Sequence, residues 1–362
     1  LRSQLSIGKI VFYNNDENWH CAMRFGVDEK YEKLNVDEDL LKYSEVTEVS
    51  EEEEKMLGDF DVIIPVFHKN IPLAYLLIGD VKEDLIDNTQ TKHIPFIQTL
   101  ANIITVAVEN KKLAKNTIKQ AAVKRELELA KEMQSMLFPS SLPEDDKLEI
   151  SSFYQPHQQI GGDYYDYIQL NNNEIGICMA DVSGKGVSAA LLMSNFQANL
   201  RALFQHATSL EELVTELNAK VNANAKGEKF ITLFVAKYNF VTRVMHYVNA
   251  GQNQPILLSE NTVSYLTTGC PGLGMLDELP VIREGIINIP KNAMLFCYTD
   301  GVTELENEQG KEFGLSKLEL LLLEQQNSKM NELNKNLMKI LKRHKGDMPY
   351  IDDIALLSCR FL

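Results

Sequence analysis

Met179-Ala180-Asp181-Val182-Ser183-Gly184-Lys185-Gly186-Val187-Ser188-Ala189-Ala190-Leu191-Leu192-Met193 is the stretch from which the fold can be read. The apolar run Ile175–Ala180 has the length and composition of a buried strand, and Asp181 closes it. Gly184 and Gly186 allow a tight turn, and from Val187 to about Val221 the pattern becomes helical. Upstream, Leu148–Gln155 and Tyr165–Leu170 read as strands. Downstream, so do Phe230–Phe240, Val244–Asn249, Pro255–Leu258, Val263–Leu266, Ile286–Ile289, Met294–Tyr298 and Ile354–Phe361, with helices at about Leu315–Leu341. Strands dominate and helices come in pairs, which predicts an α+β arrangement of stacked sheets with helices outside.

The chemistry lies in where the aspartates fall. Asp163 follows Gly161-Gly162, Asp181 and Asp300 end apolar strands, and Asp352-Asp353 immediately precede one. Carboxylates at strand ends are held rigidly at the edge of the core, where desolvation costs several kcal/mol unless a cation compensates it. Oxygen donors without His or Cys select a hard divalent ion, Mg²⁺ or Mn²⁺. Glycines at 161, 162, 184, 186 and 301 let the backbone come close, including the carbonyl after Asp181. Ser183-Gly184-Lys185-Gly186 is not a Walker loop, because Met179 stands where that pattern needs glycine. No GxSxG elbow occurs and no Cys–His pairing is signalled.

Gly161-Gly162-Asp163-Tyr164-Tyr165-Asp166, the Met179–Met193 run, Asn249-Ala250-Gly251, Tyr298-Thr299-Asp300-Gly301-Val302-Thr303-Glu304 and Asp352-Asp353 resemble, in order, the motifs of the metal-dependent (PPM-type) serine/threonine phosphatases, in the bacterial stage II sporulation and stress-response branch. The resemblance covers about residues 120–362 and implies an αββα-layered sandwich. It implies that Asp181 bridges two Mn²⁺ or Mg²⁺ ions, that the Val182 carbonyl completes the second site, and that Asp300 and Asp352 bind the first ion. Asp163 would act on the attacking water or serve as a ligand, and Asp353 would contribute less. The implied substrate is phosphoserine or phosphothreonine on a STAS-domain antagonist of an anti-sigma factor. Two positions depart from the family pattern: Gln252 stands where members often have His, and Ser188 where many have Pro. Arg201, Arg243 and Arg283 are the candidate phosphate clamps. A signalling scaffold (pseudophosphatase) binding the same partner is the alternative, and a metal-dependent cyclase or nuclease a third reading.

Before residue 140 the pattern changes. Ile7–Tyr13, Val62–Phe67 and Ile71–Ile78 read as strands, the last two joined by a turn at His68–Asn70, followed by one long helix from about Phe96 to Leu137. The acidic run Glu51–Glu54 reads as a solvated loop or helix start, and His20, His68 and His93 lack paired spacing. The hairpin, Gly79 and the following helix resemble the closing half of a GAF domain, a sensory fold with an antiparallel sheet and room for a small-molecule ligand. In the helix, Leu100, Ile104, Ala107, Ala114, Ile118 and Ala121 form a narrow apolar stripe, and Val123, Leu127, Ala130 and Leu137 resume it out of phase. Such a stripe needs a partner, most simply a second copy in a parallel coiled coil; the alternative is packing on its own domain. Pro139 and Pro143 end the helix. The expected domains are residues 1–110, a linker helix 111–140, and 141–362.

Charge supports this division. Residues 1–110 carry 10 basic and 21 acidic groups, residues 111–140 carry 7 and 3, and residues 141–362 carry 19 and 27. A net charge of −15 disfavours nucleic-acid and anionic-membrane partners. Five scattered cysteines without a CxxC pair argue against disulfides and zinc and fit a reducing cytoplasm. The chain opens on Leu1 and not on Met, so a fragment of a longer protein is expected.

Overall fold

A computed structural model of the chain describes residues 7–16, 18–50, 54–68, 70–81 and 90–362. Glu51–Glu53 and residue 69 of the expected turn lie outside the described residues, as do the side chains of Glu54, His68, His93, Leu100 and Ile104. The chain divides into two compact units, Leu1–Val123 and Lys124–Leu362.

The first unit is built on strands β1 (Ile7–Asp16), β2 (Asn18–Phe25), β3 (Thr47–Glu48), β4 (Val62–His68) and β5 (Ile71–Val81). They form one antiparallel sheet in the order β2-β1-β5-β4-β3. Alternation along the strands supplies two small cores: Ile10, Ile64, Leu76 and Ile78 on one face, Val11, Tyr13, Ile63 and Leu77 on the other. Strand β2 has no counterpart in the sequence reading, because it is an edge strand with mostly exposed residues and no apolar run.

A single helix, Gln90–Ser135, spans 46 residues, starting earlier and ending two residues sooner than its apolar pattern predicts. Ala114, Ile118, Ala121 and Val123 of the stripe are exposed, whereas Leu127 and Ala130 are half-buried.

The second unit contains β6 (Leu148–Gln155), β7 (Tyr164–Gln169), β8 (Glu174–Val182), β9 (Ile231–Asn239), β10 (Val244–Ala250), β11 (Ile256–Ser259), β12 (Thr262–Tyr265), β13 (Gly269–Cys270), β14 (Gly285–Asn288), β15 (Ala293–Tyr298) and β16 (Ile354–Phe361). One sheet runs β13-β10-β9-β8-β7, with β14 also on β10; the other runs β12-β11-β15-β16-β6. Period-two alternation places Leu295, Cys297, Leu357 and Cys359 in one core with the first sheet and with helices Val187–Phe204 and Leu210–Ala225. Met294, Phe296, Tyr298 and Leu356 face the other way, into a second core with helices Leu315–Glu324 and Met330–Lys345. The result is helix, sheet, sheet, helix, the layered α+β arrangement expected. All five cysteines are free. Among the described residues no helix is long and apolar enough to cross a membrane.

Just past the long helix, Phe138 is buried with its ring centroid 4.8 Å from Tyr154 and 4.9 Å from Tyr165. Phe138→Ala should therefore destabilise the second unit by about 3 kcal/mol, read as a lower urea midpoint; an unchanged midpoint would show that this aromatic cluster is not part of the core.

Candidate active site

The two sheets bring their strand ends together at one edge of the sandwich. Asp181 sits in the last turn of pairing of β8, opposite Thr232 of β9. Asp300 follows β15 and opens the short helix Asp300–Thr303, while Asp352 stands just before β16, which pairs with β15 through Tyr298 and Leu356. Ala355 N donates to Thr299 Oγ1 at 2.9 Å, which fixes the end of β15 against the start of β16. Asp181, Val182, Lys185, Thr232, Asp300, Glu304 and Asp352 all line one cleft of about 350 Å³. Residues more than a hundred positions apart thus converge.

Asp163 and Asp353 do not line this cleft, but their charges act on Asp181, which does. Asp163 is 2% exposed at the head of β7, and its Oδ2 has no hydrogen-bond partner. Burial, and then the charges of Asp181 and Asp353, push its carboxyl well above the usual range. Asp353 is committed to backbone: Oδ1 accepts from His157 N and Oδ2 from Gly162 N, both at 2.7 Å. It therefore shapes the Gly161–Asp163 loop. That loop comes so close that a Cβ on Gly161 would stand 2.1 Å from Asp353 Oδ2, and one on Gly301 would stand 2.0 Å from the Asp353 carbonyl. Both glycines are required by contact.

Electrostatics follow from the crowding. Asp181 is raised to about 7 by burial and then by Asp300, and Asp300 to about 6 by burial and then by Asp352. Burial raises Asp353 as well, against the pull of the backbone amides of His157, Gly162 and Asp163. One cation answers this charge from within the chain: Lys185 Nζ lies 2.8 Å from Asp352 Oδ2 and donates to Ile351 O at 2.5 Å. Among the described residues no three His, Cys, Asp or Glu side chains stand as a ready-made coordination sphere. The donor set nevertheless suits a hard divalent ion, being oxygen-only, mutually repelling and left with an unpartnered buried oxygen on Asp163.

Surrounding contacts hold this loop region. Gln134, at the end of the long helix, exchanges two hydrogen bonds with Gly161: Nε2 donates to O at 2.8 Å, and Gly161 N donates to Oε1 at 3.2 Å. Fully buried Asp166 accepts both Nε (2.7 Å) and Nη2 (2.8 Å) of Arg201, tying β7 to helix Val187–Phe204. Arg243 donates to the carbonyls of Ile289, Pro290, Phe361 and Leu362. Two of the three candidate phosphate clamps are thus structural. Sequence reasoning missed Lys185, Gln134 and Thr232 as members of the site, since nothing in their spacing signals it.

A two-sheet sandwich with helices outside and acidic strand ends converging on one cleft defines a phosphatase domain of the PP2C type. The model of the Stage II sporulation protein E (SpoIIE) family matches residues 171–362, and the chain belongs to that family. It is 28% identical over 242 residues to phosphoserine phosphatase RsbU of Bacillus subtilis (strain 168), covering 67% of this chain and 71% of that one. It is also 28% identical over 190 residues to phosphoserine phosphatase RsbP of the same organism, covering 50% of this chain and 46% of that one. In fold it is similar to the SiaA-PP2C domain of Pseudomonas aeruginosa, at TM-score 0.61 and 19% identity, over 67% of this chain and 99% of that one. The PP2C domain of SpoIIE from Bacillus subtilis, with a fragment of its regulatory domain, follows at TM-score 0.53 and 12% identity, over 59% and 64%. The chain is accordingly a serine/threonine protein phosphatase.

Carboxylates raised in the folded state hold protons that the unfolded chain has already released, so between about pH 4 and 7 the contribution of Asp181 and Asp300 to the stability of the metal-free protein falls as pH rises. Asp181→Asn removes one of the crowded charges. It should raise the metal-free Tm at pH 7.5 by roughly 5 °C while abolishing the further rise that Mn²⁺ gives the parent, both read by scanning fluorimetry. A variant no more stable than the parent would show that these carboxylates do not repel one another.

Proposed function

We propose that this chain hydrolyses phosphoserine or phosphothreonine on a partner protein, with Asp181, the Val182 carbonyl, Asp300 and Asp352 as the residues that hold a pair of Mn²⁺ or Mg²⁺ ions and Asp163 beside them. The observation that carries the reading is the convergence of Asp181, Val182, Asp300 and Asp352 on one cleft. When bound, such ions supply a water activated at neutral pH and neutralise the phosphoryl oxygens during in-line displacement. Asp163, buried and raised, is suited to hold or accept a proton at its unpartnered Oδ2. Asp353 positions the loop that carries Asp163 through the His157 and Gly162 amides. Lys185 pairs with Asp352 at 2.8 Å and would have to yield that carboxylate to a divalent ion.

The partner we propose is a phosphorylated STAS-domain protein, on the strength of family resemblance. Regulation would come from the N-terminal unit, read as a GAF-like sensor of a small molecule, through the Gln90–Ser135 helix acting as a cytoplasmic homodimer. The exposed apolar side chains Leu113, Ile118 and Val123 support pairing of that helix. The Gln134–Gly161 exchange supports a route from its end to the Asp163 loop.

Asp300→Asn should lower kcat toward a phosphoserine peptide by a factor on the order of 10³ with the circular dichroism spectrum unchanged, and chelation should silence the parent reversibly. Hydrolysis at the parental rate by the variant would refute the assignment. For the dimer, Ile118→Glu should convert the chain to a monomer in light scattering and change the Mn²⁺ concentration giving half-maximal activity; a variant that stays dimeric would remove the helix from the interface.

A further inference from the structure

We infer that the open cleft next to the carboxylates seats the polypeptide of the protein substrate and selects a segment with an acidic residue flanking the phosphorylated serine. This rests on the phosphatase reading above. The cleft measures about 590 Å³, within the roughly 300–1,000 Å³ of ligand clefts, and Asn249, Gly251, Gln252, Thr268, Cys270 and Arg283 are among the residues lining it. Gly251 also lines the carboxylate cleft, so a chain whose phosphoserine lies in one passes directly into the other.

Its chemistry is opposite in sign to that of its neighbour. No Asp or Glu lines it, although the chain carries a net −15. Arg283 is its only charged lining residue. With Arg201 held by Asp166 and Arg243 by four carbonyls, Arg283 is the candidate clamp whose guanidinium is exposed and makes no hydrogen bond or ion pair among the described residues. A second feature points to a ligand. Gln252 is 94% buried, its Oε1 accepts from the Thr232 hydroxyl, and its Nε2 donor has no partner. A buried amide donor without an acceptor is costly, and a carbonyl or carboxylate entering the cleft would satisfy it. The turn is also preorganised: Gln252 N donates to Asn249 Oδ1 at 2.8 Å, and Asn249 Nδ2 donates to Leu266 O at 3.1 Å. A fixed donor beside a free guanidinium fits a peptide backbone with an acidic side chain.

The experiment uses the full chain loaded with Mn²⁺ and three substrates: two phosphoserine peptides identical except for aspartate or lysine flanking the phosphoserine, and p-nitrophenyl phosphate, which has no flank. The parent should favour the aspartate peptide by about fivefold in kcat/KM, and Arg283→Glu should reverse the order. Gln252→Leu should lower kcat/KM for both peptides, through KM, relative to the aryl phosphate; should that variant misfold, the exposed Arg283→Glu carries the test. Equal kcat/KM for the two peptides, or an order unmoved by Arg283→Glu, with the aryl phosphate still hydrolysed, overturns the cleft assignment alone. Failure of the loaded parent to hydrolyse any of the three overturns the phosphatase reading and this inference with it.

Discussion

Repulsion among carboxylates that the fold refuses to separate governs this molecule. Asp163, Asp181, Asp300, Asp352 and Asp353 come from four places in the chain, and each would be better solvated apart. What holds them together is the stacking of two sheets whose inner faces are apolar away from the cleft, with Ile177, Phe234 and Ala236 on one side and Leu295, Leu357 and Cys359 on the other. The hydrophobic effect acts on hundreds of Å² of such surface, whereas the repulsion acts at one edge. The site is therefore strained by a core that does not depend on it, a condition suited to binding cations tightly.

Rigidity is distributed unevenly around that edge. Asp353 spends both oxygens on backbone amides, and Gly161 and Gly301 press against the same residue with no room for a Cβ. Asp352 accepts one backbone amide, from Asp353 N to its Oδ1 at 2.8 Å, and its Oδ2 pairs with the flexible Lys185 side chain. Two adjacent aspartates thus serve different ends, one fixing the Gly161–Asp163 loop and the other facing the cleft. A bend at Asp352, just before the strand Ile354–Phe361, separates the two side chains.

Burial explains what was legible in the sequence. Strands such as Glu174–Val182 and Ile354–Phe361 announce themselves because an apolar run must be buried, and the aspartates at their ends follow from it. The edge strand Asn18–Phe25 and the two-residue β13 carry no such pattern, because backbone pairing alone defines them. Side-chain alliances are the least legible. That Arg201 serves buried Asp166, that Arg243 serves four carbonyls, and that Gln134 grips Gly161 depend on elements meeting in space after the chain has folded. The three arginines look alike in the sequence, and only their neighbours tell them apart.

From that sorting of arginines comes a division of labour at the surface. The carboxylate cleft sets Asp181, Asp300, Glu304 and Asp352 against Lys185, so without a divalent ion it would repel a phosphorylated chain, whereas Arg283 in the neighbouring cleft would attract one. Through Thr232, which faces the carboxylates and donates to Gln252, the two clefts share a wall. On the reading proposed above, filling one would change the hydrogen-bonding environment of the other and so would link metal binding and substrate binding in both directions. Substrate selection and metal occupancy would then follow from one arrangement of strand ends.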